Sequence, residues 1–236
     1  MSKYYAYETN ETEAHVYIFG DIVPFAYFEG DTSADSFRRE ISALDVQTIH
    51  VHIDSYGGAV SEGWALYNTL KEHPAKIITH GDGFVASAAL YPFMAGDERI
   101  LSNLSALFFH QVLVEVYGNA DTLRAAAEEA EKINQIGLAA FTSAGIDAET
   151  VLQLEKAETW VSPAEALELG LATAIKATDN ARQSQSIKRD VMQRMLASAP
   201  AAPEAPVAPP VEEPTVNQQT EEVNTIMRLI SGMKGD

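Results

Sequence analysis

The sequence predicts an α/β protein built from repeated strand–helix units. Residues 47–54 alternate strictly between apolar and polar side chains, which is the period of a half-buried strand. Segments with apolar residues at helical spacing follow strand-like segments several times along the chain. This order of elements is typical of an α/β fold.

The first part of the chain is predicted to contain three strands and two helices. Residues 15–20 form a short strand, and residues 31–34 offer N-cap side chains for a helix. The strand at 47–54 is broken at 55–58, and a second helix leads to a third strand at 75–79. The apolar positions of that second helix are Val60, Trp64, Tyr67 and Leu70.

The second part is predicted to contain short strands and a long amphipathic helix. The strands lie near 99–101 and 106–110, and the helix runs from about 120 to 144. A capping box with proline at the first helical position, residues 162–165, begins a later helix. The inward-facing positions predicted for the long helix are Leu123, Ala127, Ala130, Ile133, Ile136 and Phe141.

Composition divides the chain into a domain and a tail. Residues 1–177 are long enough and aliphatic enough to form one domain with a sizeable core. Residues 178–198 are polar and are predicted to be a partly helical extension, and residues 199–216 form an Ala/Pro/Glu-rich linker. Residues 217–236 fit a short amphipathic helix, which either docks on a partner or frays, because short isolated helices are marginal.

Charge and composition exclude several classes of function. The net charge of −18 argues against nucleic acid or an anionic membrane as a partner. The absence of cysteine excludes disulfides, thiolate zinc sites and a cysteine nucleophile. The mostly apolar run at 83–96 is shorter than the roughly 20 residues of a membrane helix, and the N-terminus lacks the apolar core of a signal peptide. A cytoplasmic protein is therefore expected.

Two local motifs suggest a cofactor or a metal, and both are incomplete. His50-x-His52-x-Asp54 looks like the start of a metallo-β-lactamase zinc motif, but Ser55 stands where another histidine is needed. Gly81-x-Gly83 lacks the third glycine of a dinucleotide loop. We interpret the histidines as polar residues of one strand face, and we expect no metal and no cofactor.

Ser87 is the candidate nucleophile. It follows a strand and a predicted glycine-rich turn at 81–83 and stands at the start of a buried helix, where a serine can be strained and exposed. The glycines of the turn at 55–58 permit a positive φ, so an amide there and the amide after Ser87 can together bind an oxyanion. His110, at the end of a strand among apolar neighbours, is a candidate general base, and Glu158 supplies a carboxylate at an element boundary.

In this order, these motifs resemble the proteolytic subunits of the caseinolytic (Clp) protease family of serine peptidases. The family pattern is a Ser-Pro-Gly-Gly turn, then Gly-x-x-Ala-Ser, then Met-Ile-His-Gln, then an acidic residue before a Ser-Ala-x-Glu-Ala helix. The matching stretches are Asp54-Ser-Tyr-Gly-Gly58, Gly83-Phe-Val-Ala-Ser87, Phe108-Phe-His-Gln111 and residues 157–165. The Ala-Glu-Thr-Trp run at 157–160 is especially similar to the phage branch, the prohead proteases that process capsid and scaffold proteins.

The resemblance implies a fold, a site and partners. The fold is the Clp-protease/crotonase α/β fold with a long handle helix, here followed by a disordered C-terminal tail. The site comprises Ser87 as nucleophile, His110 as general base, Glu158 as the third triad member, and the amides of Gly58 and Ala88 as the oxyanion hole. The partners are polypeptide substrates, such as capsid or scaffold proteins, and further copies of the chain in homo-oligomeric rings. A phage-encoded member would act in the host cytoplasm or in the prohead.

Departures from the family pattern keep alternatives open. Glu158 replaces the usual aspartate, Tyr56 replaces the turn proline, and residues 112–116 replace a glycine-bearing strand. An N-terminal extension forming axial loops is not evident, which weakens the expectation of docking to an unfoldase. The alternatives are a cytosolic Clp-like subunit working with an unfoldase, a crotonase-fold acyl-CoA enzyme, and an inactive structural ring. A Ser–Lys dyad ranks lower, because Lys132 and Lys156 both lie in helical patterns.

Overall fold

An eight-stranded, mostly parallel sheet forms the centre of the fold. The computed structural model describes residues 7–9, 12–25 and 32–176. Along the main path the strand order is β1-β2-β3-β4-β5-β8, and β6 and β7 extend the sheet from β4. The strands are β1 (Tyr7–Thr9), β2 (Glu13–Phe19), β3 (Thr48–Ser55), β4 (Lys76–Ala86), β5 (Glu98–Ser102), β6 (Ala106–Phe108), β7 (Trp160–Val161) and β8 (Ala174–Lys176).

Strand β4 organises the sheet because it pairs with two different strands on one side. Its first half pairs in parallel with β5, from Ile78 to Gly81, and its last residues pair in parallel with β6, from Phe84 to Ala86. On its other side β4 pairs in parallel with β3. The carboxyl ends of β3, β4 and β6 therefore meet at one edge, the position where open α/β sheets bind ligands.

Six α-helices accompany the sheet within the described residues. Side-chain caps at Ser33, Asn119, Asp147 and Ser162 begin four of them, and the capping box predicted at Ser162 and Glu165 is present. The helices are α1 (Ala34–Ile41), α2 (Val60–Glu72), α3 (Leu90–Met94), α4 (Ala120–Thr142), α5 (Ala148–Lys156) and α6 (Pro163–Glu168).

One face of the sheet carries the apolar core. Alternate residues of β2 and β3 are buried, as the strict alternation predicted, and they pack in one cluster with apolar side chains of the helices. The largest fully buried side chains include Phe37, Phe93, Phe109, Ile53 and Leu66. The opposite face of β2 and β3 carries their polar and histidine positions and is only partly buried.

Arg99 on β5 attaches the chain after α6 to the sheet. Its buried guanidinium donates three hydrogen bonds to backbone carbonyls, those of Leu171 (2.9 Å), Gly96 (3.0 Å) and Gly170 (3.1 Å). Burial lowers the pKa of Arg99, and the neighbouring Asp97 opposes that effect. A charged group buried in this way is tolerated only because its donors are satisfied.

The glycine-rich stretch 81–83 does not form the predicted turn. Strand β4 continues through it to Ala86, and only then does a single 3₁₀ turn, Ser87–Ala89, begin. A Cβ at Gly83 would collide with the Asp54 carboxylate, and a Cβ at Gly81 would lie 2.5 Å from Leu101 Cδ2. Glycine is needed here for close approach between strands, which produces the same residue preference as a turn.

Much of the face predicted to be inward on the long helix is exposed in the single chain. Phe141 is buried, as predicted, but Leu123 is 48% exposed and Ile136 is 58% exposed. The buried residues of α4 all lie between Asn134 and Phe141, so only its C-terminal part packs on the domain. An amphipathic pattern shows that a helix has an apolar face, but it does not identify what covers that face. The predicted extension 178–198, linker 199–216 and tail helix 217–236 lie outside the described residues.

Candidate active site

Ser87 lies at the junction of β4 and the 3₁₀ turn that leads into α3. Its φ of 56° is in the left-handed region, which is unusual for a residue with a side chain. Such a conformation costs on the order of 1–3 kcal/mol and persists only where the surroundings impose it. Ala88 and Ala89 after it are buried, whereas Ser87 is half-buried. The strained, accessible serine expected from the sequence is therefore present.

His110 contacts Ser87 although 23 positions separate them in the sequence. Its Nε2 atom lies 2.7 Å from Ser87 Oγ. Parallel pairing of Ala86 with Phe108 places the ends of β4 and β6 side by side, and the serine and the histidine follow those two residues closely. The intervening Phe109 is fully buried, and its amide donates to the Thr159 carbonyl at 3.0 Å. The backbone immediately before Ser87 and immediately before His110 is thus anchored.

The protonation of His110 follows from its second hydrogen bond. Its Nδ1 atom lies 2.6 Å from the backbone carbonyl oxygen of Gln111. A carbonyl can only accept, so Nδ1 carries the proton and donates it. In the neutral ring Nε2 is then an acceptor, and the Ser87 hydroxyl donates to it. This tautomer is the one that a general base toward serine requires.

The turn after β3 supplies the glycines beside Ser87. The φ angles of Gly57 and Gly58 are 94° and 144°, and a Cβ at Gly57 would lie 2.7 Å from the Ala88 nitrogen. The Gly57 amide donates to Ser55 Oγ at 3.0 Å, so it is already used. Gly58 and Ala88 both line the cavity next to Ser87, as the oxyanion-hole prediction requires. Their amides remain the predicted donors.

The structure does not bring the predicted acid to His110. Glu158 is exposed and has a φ of 48°, and its amide donates to the Glu155 carbonyl at 3.3 Å as α5 ends. Among the described residues, the atom that accepts from His110 Nδ1 is the Gln111 carbonyl oxygen. The orienting acceptor is thus a backbone carbonyl instead of the predicted carboxylate. Glu158 follows the end of α5 in a left-handed backbone conformation, and its side chain is exposed to solvent.

A cavity of about 490 Å³ adjoins Ser87 and His110. Its walls come from the turn at Gly58, the start of α3, the segment after His110, and helices α4 and α5. Asn134 on α4 accepts a hydrogen bond from the Val112 amide at 2.8 Å, which attaches the segment after His110 to the handle helix. The cavity is large enough for an amino-acid side chain, and it opens beside the candidate nucleophile.

Glu155 places a buried carboxyl group in the wall of this cavity. The residue is 6% exposed, and its Oε2 atom has no hydrogen-bond partner among the described residues. Burial raises the pKa of Glu155 to about 7. A buried carboxylate without a partner is costly, which is why the protonated form is favoured up to about pH 7.

Comparison with known proteins agrees with this geometry. A family model described as Clp protease matches residues 29–179 of the chain.

The chain belongs to the Clp protease family.

Two bacterial members of the family show the extent of the similarity. The ATP-dependent Clp protease proteolytic subunit 2 of Treponema pallidum is 29% identical over 145 residues, covering 58% of this chain and 73% of that protein. The ATP-dependent Clp protease proteolytic subunit of Ligilactobacillus salivarius is 31% identical over 155 residues, covering 61% and 77%. A solved structure, a mutant of ClpP1 from Listeria monocytogenes, matches with a TM-score of 0.56 at 21% identity. It covers 70% of this chain and 92% of that one, which confirms the predicted Clp-type α/β fold.

Two groups in the site of this Clp family member were not predicted from the sequence. The Gln111 carbonyl has no sequence signal, because every residue carries a backbone carbonyl. Glu155 does have one: it follows Val151 by four positions, and both residues face inward on α5. Helical spacing therefore predicts a buried glutamate, which is rare without a function or a partner.

Within the described residues, no helix is long and apolar enough to cross a bilayer.

Proposed function

We propose that this chain is a serine endopeptidase that cleaves polypeptides through an acyl-enzyme. The observation that supports this best is the 2.7 Å contact between Ser87 Oγ and His110 Nε2, in the tautomer that makes Nε2 the acceptor. Family membership supports peptidase activity independently. The pair also favours a peptidase over a crotonase-type acyl-CoA enzyme, which needs an oxyanion hole but no serine nucleophile.

The proposed reaction has two halves. Ser87 Oγ attacks the carbonyl carbon of the scissile bond while His110 Nε2 takes the hydroxyl proton. The amides of Gly58 and Ala88 donate to the developing oxyanion, and each such donor is typically worth on the order of 3 kcal/mol. His110 then gives the proton to the leaving amine. Water, activated by the same histidine, cleaves the ester and restores Ser87.

The proposed enzyme works as a homo-oligomeric ring. Leu123 is exposed on the part of α4 that has no buried residue, and Ile136 is exposed even within the packed part, so both leave apolar surface that supports assembly through this helix. Light scattering of the purified full chain measures its mass. A strictly monomeric protein at micromolar concentration would contradict this part of the proposal.

The biological role we propose is the maturation of phage capsid or scaffold proteins. The Ala-Glu-Thr-Trp run at 157–160 supports it by its similarity to the phage branch. A second role, as the proteolytic subunit of an ATP-dependent protease, is favoured by the names of the bacterial relatives. Co-expression with neighbouring capsid genes, followed by mass spectrometry of the products, separates the two. Capsid proteins that are cleaved by the wild-type chain but stay intact with Ser87→Ala support maturation. Cleavage that occurs only with an added unfoldase supports the second role.

A fluorophosphonate probe tests the chemistry without knowledge of the substrate. We expect one labelled serine, mapped to Ser87, and no labelling of Ser87→Ala. His110→Ala should slow labelling by at least about 1,000-fold, because the hydroxyl then loses its base. Ser61 lines the same cavity, so Ser61→Ala is the matched control and should label normally. An assembled, folded wild-type protein that does not label would refute the proposed nucleophile.

A further inference from the structure

Four of the six histidines lie together on the polar face of the sheet. His15 is on β2, His50 and His52 are on β3, and His80 is on β4. The parallel register aligns His15 with His50 and His52 with His80. Neighbouring strands lie about 4.8 Å apart and side chains alternate with a period of two, so this register stacks all four imidazoles on one face. The His15 and His50 rings are nearly parallel, at 8°, with centroids 4.5 Å apart.

A carboxylate sets the direction of the first hydrogen-bond chain. His52 Nδ1 lies 2.7 Å from Asp82 Oδ2, and His52 Nε2 lies 3.1 Å from His15 Nδ1. An ionised carboxylate only accepts, so His52 donates from Nδ1, and in the neutral ring its Nε2 accepts from His15 Nδ1. The Nε2 atom of His15 then carries the lone pair. An outer carboxylate acting through a ring N–H is how proteins orient histidine ligands of metals.

A second hydrogen bond joins His50 to His80 on the neighbouring strand. His50 Nδ1 lies 3.0 Å from His80 Nε2. When His50 donates this hydrogen bond, its Nε2 atom also carries the lone pair. Two histidines on adjacent strands, each supported by another imidazole, can therefore present the same ring nitrogen to one ion.

Glu13 completes a set of three possible ligands. It precedes His15 by two positions on β2 and thus shares its face. One ligand atom from each of Glu13, His15 and His50 can be chosen so that all three lie within 4.8 Å of one another. From this geometry we infer a binding site for one divalent transition-metal ion of the zinc type, held by Glu13, His15 and His50.

The ligand chemistry and the distances fit such an ion after a small closure. Two imidazoles and one carboxylate suit Zn²⁺ and Co²⁺, and three protein ligands leave a fourth position open. Ligands at about 2.0 Å in a tetrahedron are about 3.3 Å apart, so ligand atoms that lie within 4.8 Å of one another must close by up to about 1.5 Å. Because the His15 and His50 rings are stacked, rotation about χ2, a broad torsion, must also turn them until both ring planes contain the ion.

The site differs from the local motif in the sequence. In His50-x-His52-x-Asp54, the Asp54 Oδ1 atom accepts from the Phe84 amide at 2.8 Å, and His52 supports His15 instead of binding the ion directly. The ligands come instead from two strands that only the fold aligns. None of the three lines the cavity beside Ser87, so the ion would join β2 to β3 and take no part in cleavage.

Cobalt provides the test, because tetrahedral Co²⁺ absorbs visible light far more strongly than hydrated Co²⁺. Tag-free full-length protein is titrated with Co²⁺ and then with Zn²⁺ as competitor. We expect one equivalent of Co²⁺ to produce an intense visible band that Zn²⁺ removes. His15→Gln and His50→Gln should each weaken binding by at least about 100-fold, and Glu13→Gln should weaken it by a smaller factor.

Two further variants make the result specific. His52→Gln removes only the outer support and should weaken binding by about 10–100-fold, the usual effect of outer-shell partners. His73 lies outside the cluster, at the end of α2, so His73→Gln is the matched control and should bind normally. Absence of a saturable band with the wild-type protein would overturn the inference. The four imidazoles would then only form hydrogen bonds among themselves. Loss of binding in His73→Gln would overturn it as well.

Discussion

Replacing Glu155 with glutamine should remove a pH-dependent penalty on stability. The carboxyl group is buried in the cavity wall, and its Oε2 atom has no partner within the described residues. Its pKa in the folded chain is about 7, against 4.5 for a glutamate side chain in water. A raised pKa favours the folded state below pH 4.5, and this contribution is lost as the pH rises through about 7. Glutamine has nearly the same shape and does not titrate.

The two pKa values give the magnitude. They differ by about 2.5 units, so the folded state loses up to about 3.4 kcal/mol once the carboxyl is ionised. By the same linkage relation, the loss is about 1.4 kcal/mol at about pH 5.5 and about 3.4 kcal/mol at about pH 8.5. The free energy of unfolding of Glu155→Gln, relative to wild type, should therefore rise by about 2 kcal/mol between these pH values.

Urea unfolding followed by tryptophan fluorescence measures this difference. Both proteins are compared at equal concentration, because assembly would shift the apparent stability. The lower pH stays clear of the isoelectric point of about 4.6. Glu129 on α4 is exposed, so Glu129→Gln controls for the loss of one negative charge. A wild-type-to-variant difference that is the same at both pH values would refute the reasoning, since it would mean that the pKa of this carboxyl is not raised in the folded chain.

Two further predictions concern His110 and Arg99. Because the Gln111 carbonyl already holds His110 Nδ1, Glu158→Gln should slow fluorophosphonate labelling by less than about tenfold, whereas loss of an orienting carboxylate typically costs about 10⁴-fold. A decrease of 1,000-fold or more would show that Glu158 reaches His110 in the working enzyme. Arg99→Met should lower the free energy of unfolding by about 3 kcal/mol, because three backbone carbonyls, two of them in buried hydrogen bonds, lose a charged donor. A urea midpoint unchanged from wild type would contradict the role of this guanidinium in holding the chain after α6.

Local patterns were sufficient for much of the fold. The alternation in residues 47–54 predicts β3 to within one residue at each end, because burial of one face directly produces a period of two. The cap at Ser162 is equally local, since the serine and Glu165 satisfy each other within one turn. Ser87 and His110 were predicted from several motifs in a family order, and the structure brings their side chains into contact.

Other features depend on which segments meet, and no local pattern carries that information. Gly81 and Gly83 look like a turn in the sequence, but close approach from β3 and β5 makes them part of β4. Of the inward positions predicted for α4, only Phe141 is buried, because the single chain covers only the C-terminal part of this helix. The family resemblance likewise placed Glu158 in the triad, whereas the structure leaves Glu158 exposed and pairs His110 Nδ1 with the Gln111 carbonyl.

The sequence by itself determined the strand and helix pattern, the family and the two side chains of the predicted reaction. Those properties depend on residue type and spacing, which can be read along the chain. Only the tertiary structure decided that a backbone carbonyl orients His110, that Glu155 is buried beside the nucleophile, and that Glu13, His15 and His50 share one corner of the sheet. These features depend on strand register and on burial, which arise only when distant segments pack together.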